Sequence, residues 1–235
     1  FPNAITNAYT YNPVTRSYIE FIHPEAGVGF WIFMPEEEEI EIAGSKITTV
    51  EKMVYRGWNL LGIPYLEGTE MEIVSYPDDI ILESNIYWFN ACDGSGYHLP
   101  EGYYSGLGYF VPSMSNGTII LREGLGKAAA NLSNPSEKID FVTSEGSVFT
   151  MGFNDNARAD VDNFDIILPP SSPDERTTGG FRKGGFVLST DIRSTLFDGQ
   201  SETFELFYTG RISWDQSRLS DNLEYTMDIS GRNID

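Results

Sequence analysis

The sequence predicts an all-β protein made of two related aromatic β modules followed by an immunoglobulin-like or jelly-roll-like β-sandwich. Short aromatic and β-branched runs bounded by Gly, Pro, Asn and Asp recur along the whole chain, as is typical of strands joined by tight turns. No long 3.6-residue periodicity indicates a helix. An internal repeat divides the chain into residues 1–54, 55–136 and 137–235. We therefore expect two repeats and one dissimilar C-terminal domain.

The repeat is carried by aromatic residues, asparagine and glycine at matching positions. The matched pairs are Tyr9 with Tyr87, Tyr11 with Phe89, Asn12 with Asn90, Tyr18 with Tyr97, Gly29 with Gly108, and Trp31 with Phe110. The second copy is preceded by a strand-like run, 55–64, that has no counterpart before residue 1. Two arrangements are open: a neighbouring subunit supplies the missing strand, or the 55–64 run folds back to complete the first module.

Alternation of apolar and polar residues predicts the individual strands. In the two modules they are expected over 16–22, 29–34, 39–42, 55–64, 72–74, 86–89, 108–111 and 118–121. Residues 94–96 and 115–117 predict hairpin turns, and 75–83 and 127–132 are each expected to hold at most one helical turn. In the C-terminal domain we expect strands over 138–142, 147–153, 185–189, 202–208, 211–214 and 224–229, with an extended proline-rich passage at 168–174.

The chain is strongly acidic. It has 35 acidic against 15 basic residues and a formal charge of -20, which argues against a nucleic acid or an anionic membrane as the main partner. Solubility through self-repulsion explains such acidity, and binding of divalent cations or a saline habitat are the alternatives. The run from Glu36 to Glu39 is expected to be a solvated loop or a weak cation site. The single cysteine, Cys92, excludes an intramolecular disulfide, and no apolar stretch predicts insertion into a membrane.

One motif in the second repeat suggests a family resemblance. The run Gly57-Trp58-Asn59-Leu60, with Pro64, precedes a Tyr-Trp-Phe strand and a Gly-x-Gly-aromatic strand. These residues resemble the Gly-Trp-Asn-Leu repeats of large secreted and cell-surface proteins of bacteria and archaea. The C-terminal third is similar to the β-sandwich of exported surface proteins, through Gly152-Phe153, spaced aspartates, Pro169-Pro170 and the run 189–193. The resemblance implies an extracellular or cell-surface location.

Residues 154–165 alternate oxygen-bearing side chains within one loop. Such a loop can surround a hard cation such as calcium with about six to eight ligands. The candidate ligands are Asp155, Asp160, Asp162 and Asp165. A hydrogen-bonded turn without a metal is the alternative, because the spacing does not fit an EF-hand. No other cofactor is expected.

The second module concentrates aromatic rings that could stack on sugar faces if they are exposed. The candidate glycan-binding residues are Tyr87, Trp88, Tyr97, Tyr103 and Tyr104. Cross-strand packing is the alternative, because side chains alternate along a strand and about half must face inward. Asn116 and Asn131 stand in acceptor sequences for N-glycosylation in a glycosylating organism.

Catalysis is not predicted, because neither His23 nor His98 lies in a nucleophile motif. We expect a non-enzymatic, extracellular structural subunit of a surface assembly such as a filament, sheath or surface layer. Its expected partners are neighbouring subunits, with strand sharing as one route of self-association. The alternative is a glycan-binding adhesin module of a surface protein.

Overall fold

The computed structural model describes residues 3–23, 25–36, 45, 47–64, 71–91, 96–124, 137–173, 179–196 and 200–215. Apart from one turn of 3-10 helix at Glu83–Asn85, the regular secondary structure in this part of the chain consists of β-strands. The strands are β1 Tyr9–Asn12, β2 Ser17–Glu20, β3 Thr49–Val54, β4 Gly57–Gly62, β5 Met71–Tyr76, β6 Tyr87–Asn90, β7 Gly96–His98, β8 Gly108–Ser113, β9 Gly117–Glu123, β10 Glu137–Thr143, β11 Val148–Phe153, β12 Ile166–Ile167, β13 Gly179–Lys183, β14 Phe186–Arg193, β15 Leu206–Tyr208 and β16 Ile212–Trp214. The predicted all-β class is confirmed.

Three groups of strands build the N-terminal half. β1 and β2 form an antiparallel hairpin, β4, β8, β6 and β7 form a four-stranded sheet in that order, and β3, β9 and β5 form a three-stranded sheet. The inner face of the three-stranded sheet carries Val50, Ile119 and Leu121 into a core shared with Tyr109 and Val111 of β8. The two sheets therefore pack face to face.

The internal repeat is visible in the pairing of equivalent residues. In the second module Tyr87 of β6 pairs with Phe110 of β8. In the first module Tyr9 of β1 forms the equivalent antiparallel bridge with Trp31, with backbone hydrogen bonds of 2.9 and 2.7 Å in the two directions. The β1–β2 hairpin also corresponds to the β6–β7 hairpin. Matching sequence positions thus make matching contacts.

β4 lies between the two modules and contacts both. Along one edge it runs antiparallel to β8, with Leu61 opposite Tyr109. On the other edge Leu61 forms an antiparallel bridge with Val28, and the Gly62 N–H donates to the Gly27 carbonyl at 3.2 Å. Within one chain, this is the second of the two arrangements that the sequence leaves open, in which the 55–64 run folds back onto the first module.

The Gly-Trp-Asn-Leu run suits this central position. Gly57 begins β4 with a φ of 112°, a conformation that favours glycine. Asn59 is buried, and its side chain bonds both the N–H and the carbonyl of Tyr55, at 3.0 and 2.9 Å, which closes the turn before the strand. Trp58 faces one core and Leu61 the other. Both faces of β4 are buried, so its side chains are apolar on both faces except for Asn59, whose polar atoms bond the backbone of Tyr55.

The C-terminal domain is a seven-stranded sheet. Its order is β15-β13-β14-β11-β10-β16, with β12 also paired to β14, and its pairs are antiparallel except for β11 with β14. Phe141, Phe181 and Leu188 cover its buried face, and they pack in one cluster with Trp58 and Phe110 of the four-stranded sheet. The layering is therefore sandwich-like, with one layer drawn from the repeats.

Most predicted strands coincide with observed ones, and the differences have local causes. The 29–34 run contributes a bridge at Trp31 instead of a full strand, and the 202–208 run becomes a strand only from Leu206. β1, β3, β7, β12 and β13 were not predicted. Charged residues and glycines interrupt the apolar patterns of β3 and β13, and the other three strands have only two to four residues. The predicted elements at 39–42, 127–132 and 224–229 lie outside the described residues.

Hydrogen bonds reinforce the joint between the repeats and the C-terminal sheet. The Tyr18 hydroxyl donates to the Ser171 carbonyl and the Tyr97 hydroxyl to the Pro170 carbonyl, each at 2.6 Å. These equivalent tyrosines, one from each repeat, hold the same proline-rich passage. In the part of the chain that the structure describes, no helix is long and apolar enough to cross a membrane.

Candidate functional site

The candidate cation segment, 154–165, folds as hydrogen-bonded turns. Asp162 accepts from the Arg158 N–H at 2.6 Å, Asp160 accepts from the N–H of the next residue at 2.9 Å, and Asp155 is exposed. Among the described residues, no three His, Cys, Asp or Glu side chains form a group that could hold a metal ion. Calcium binding therefore stays a sequence-based prediction without a preformed site.

Asp165 differs from the other three aspartates because it is fully buried. Its Oδ1 accepts the Ile192 N–H and its Oδ2 the Asp162 N–H, both at 2.9 Å. The same two oxygens lie 3.2 and 3.0 Å from Nζ of Lys183. Asp165 is thus directed at an amine and at backbone donors, and not at the carboxylates of the other candidate ligands.

Around Asp165 lies a network of buried charges, which we call the Lys183 cluster: Asp165, Lys183, Asp191 and Arg193. The Lys183 side chain is 4% exposed, and Nζ lies 3.1 Å from Oδ1 of Asp191. Arg193 binds the other oxygen of Asp191 at 2.8 Å and reaches Glu202 at 2.7 Å. Lys183 therefore lies between two buried carboxylates, only one of which is also bound by an arginine.

Burial affects the charged groups of the cluster differently. Burial raises the pKa of Asp165 to about 6, although the neighbouring Lys183 ammonium acts to lower it. Burial acts to lower the pKa of Arg193, but hydrogen bonds to Asp191 and Glu202 outweigh it, so that pKa is raised. Asp165 is consequently a carboxyl that accepts a proton readily, whereas Asp191 faces a guanidinium that stays charged.

Sequence reasoning did not single out Lys183. The alternation of side chains along β13 could have indicated that Lys183 is buried, because Lys183 lies on the same face of the strand as Phe181, which is fully buried. The glycines that flank this short strand hid the pattern.

The candidate glycan-binding rings lie largely in the core. Tyr87 and Tyr103 are buried, Trp88 and Tyr97 are half-buried, and Tyr104 is 52% exposed. Tyr87 contacts Tyr97 edge to face, with ring centroids 6.5 Å apart. Stacking on a sugar requires an open ring face, so Tyr87 and Tyr103 serve packing, and Tyr104 is the most accessible candidate of the five.

Burial raises the pKa of a group of tyrosines in the described part of the chain, which we call the core tyrosines. They are Tyr11, Tyr18, Tyr87, Tyr103 and Tyr109. Each must remain protonated to stay buried at low cost.

Asn116, His23 and His98 also lie in the part of the chain that the structure describes. Asn116 lies in the exposed turn between β8 and β9, where its side-chain oxygen accepts the Arg56 N–H at 2.9 Å. His23 is exposed, and the His98 ring packs beside Trp88 with centroids 5.7 Å apart. Asn131, Cys92 and most of the acidic run, 37–39, lie outside the described residues.

Comparisons of the chain with protein-family models, with curated proteins and with solved structures gave no match.

Proposed function

We propose that this chain is a non-enzymatic structural subunit of an extracellular assembly, such as a filament, sheath or surface layer. The observation that carries the proposal is the continuous core. Trp58 of the repeats packs edge to face on Phe186 of the C-terminal sheet, with ring centroids 6.3 Å apart. In addition, one tyrosine hydroxyl from each repeat donates a hydrogen bond to a backbone carbonyl of residues 170–171. A subunit that carries load or sets a spacing needs such rigid joints between its parts.

The charge of the chain supports a cation-dependent form of this function. With a formal charge of -20 on 26.3 kDa, two copies repel each other at neutral pH. Cations screen that repulsion, and divalent ions can also bridge carboxylates of neighbouring copies. We therefore expect self-association to be promoted by divalent cations more strongly than by sodium chloride of the same ionic strength.

Sedimentation velocity and negative-stain electron microscopy of the purified full chain test this proposal. Ordered polymers that form with calcium or magnesium, and that dissolve on chelation, are the expected result. Sodium chloride of matched ionic strength is the control for screening alone. Monodisperse particles near the 26.3 kDa chain mass in every condition would contradict the proposal.

A binding assay separates this function from glycan-dependent adhesion. Tryptophan fluorescence is measured while saccharides are added to the dispersed chain. A structural subunit predicts no saccharide-dependent change, whereas saturable quenching that Tyr104→Ala abolishes would favour an adhesin.

A further inference from the structure

The strongest unexplained feature of the molecule is the buried contact between an amine and two carboxyl groups in the Lys183 cluster. Nζ of Lys183 lies 3.0 and 3.2 Å from the two oxygens of Asp165 and 3.1 Å from Asp191. The side chains are 4% exposed for Lys183 and 0% for both aspartates. An amine and a carboxyl are thus held together where water is excluded.

Burial and proximity both favour a reaction between the two groups. Two opposite charges are costly to bury in a site without water, so a reaction that removes both of them is favoured. Groups held in contact also react as if at very high concentration, with effective molarities of about 10⁵–10⁸ M for well-oriented pairs. An amide would remove two buried charges at once.

The hydrogen-bond partners of Asp165 and Asp191 differ, and the difference suits the two carboxyl groups to different roles in the reaction. Asp191 is bound by Arg193 at 2.8 Å, and a carboxylate paired with a guanidinium is a poor electrophile. Asp165 has no arginine among its hydrogen-bond partners, and it receives the N–H groups of Ile192 and Asp162 on its two oxygens, each at 2.9 Å. Such donors stabilise the oxygen that becomes negative when a nucleophile adds to a carboxyl carbon.

We propose that Lys183 and Asp165 condense to form an intramolecular amide bond, with Asp191 as the proton carrier. A proton first passes from the Lys183 ammonium to Asp165, and the resulting amine attacks Cγ of Asp165, forming the N–C bond. Asp191 takes one proton from the nitrogen and passes it to an oxygen of Asp165, which already carries the proton of the neutral acid. The C–O bond to that oxygen then breaks and one water molecule leaves. No oxidant, reductant or external cofactor is needed, and the inference does not depend on the proposed function.

The intact mass of the full chain, measured under denaturing conditions, tests the proposal. We expect a mass lower by one water than the sequence requires, with a proteolytic fragment in which the peptide containing Asp165 is joined to the peptide containing Lys183. Trypsin should also fail to cut after Lys183 while still cutting after Arg182. A wild-type chain of full mass with separate peptides would overturn the proposal, whatever the variants do.

Two variants identify the residues responsible for the loss of water. Lys183→Arg retains a cation but not the nucleophilic amine, so it should restore the full mass. Asp191→Asn keeps the shape of the proton carrier without its basicity, and it should restore the full mass or leave a mixture. Succinimide formation at Asp93-Gly94 or Asp198-Gly199 also releases water. A light mass that persists in Lys183→Arg and disappears in mild base would identify that reaction and refute the amide.

Discussion

Replacing Asn85 by alanine removes a side chain that joins the second repeat to the C-terminal sheet. Asn85 is fully buried in the 3-10 turn between β5 and β6. Its side-chain oxygen accepts the Ile167 N–H at 2.7 Å, and its side-chain nitrogen donates to the Asp165 carbonyl at 3.1 Å. Both partner residues are themselves fully buried. In the Asn85→Ala variant, two backbone groups are therefore left without a partner away from solvent.

The magnitude follows from the two orphaned groups. A buried donor or acceptor left unsatisfied costs about 1–3 kcal/mol, so we expect the free energy of unfolding to fall by about 2–6 kcal/mol. For a chain of this size, each kcal/mol lowers the melting temperature by about 2–4 °C. Urea unfolding followed by circular dichroism and tryptophan fluorescence measures the free energy, and calorimetry measures the melting temperature.

Asn156→Ala is the matched control, because Asn156 is exposed. A surface substitution of this kind should change the free energy of unfolding by less than about 0.5 kcal/mol. If Asn85→Ala costs less than about 1 kcal/mol, the two hydrogen bonds do not hold the repeats and the sheet together, and the inference of a rigid joint fails.

Three further predictions concern β4, the proline-rich passage and pH. Gly62→Ala brings a methyl group 2.7 Å from the Val28 carbonyl oxygen and should cost about 1–3 kcal/mol. Gly108→Ala is the control, because a methyl group there meets no atom nearer than 3.8 Å, and it should leave the free energy of unfolding unchanged. Equal losses of stability in the two variants would contradict the pairing of β4 with the first module. Tyr97→Phe should cost about 0.5–1.5 kcal/mol in urea unfolding, because the Pro170 carbonyl loses its donor, and no loss would contradict that bond. Burial raises the pKa of the core tyrosines above about 10, the ordinary value for tyrosine. Their contribution to the stability of the fold is therefore complete below about pH 10 and is lost as the pH rises above that value. Phenolate absorbance from these residues should therefore rise together with unfolding, and ionisation of all five in the folded chain near pH 10 would refute this account.

The repeat was the most informative signal in the sequence. Aromatic residues recur in order because each module makes the same cross-strand pairs, such as Tyr9 with Trp31 and Tyr87 with Phe110. The position of β4 could not be derived in the same way. A strand buried on both faces looks the same in sequence whether it serves one module or two, so only the close approach of Gly62 to Val28 decides.

The candidate site was harder to predict, because it depends on contacts between distant residues. The aspartates of the segment 154–165 predict a cation site, and two of them, Asp160 and Asp162, accept local backbone N–H groups in the structure. Asp165 forms an ion pair with Lys183, which lies 18 residues further along the chain at the end of β13. A short glycine-flanked strand gives little periodic signal, so a buried lysine within it could not be distinguished from a surface one.

Immunogold electron microscopy of cells that produce this protein tests the central claim most directly. Antibodies against the folded chain are applied to intact cells and to material shed from them. The proposed function predicts regular labelling along ordered filaments, sheaths or surface arrays outside the cell. Labelling confined to the cell interior, or to dispersed particles outside it, would contradict the proposal of an extracellular structural subunit.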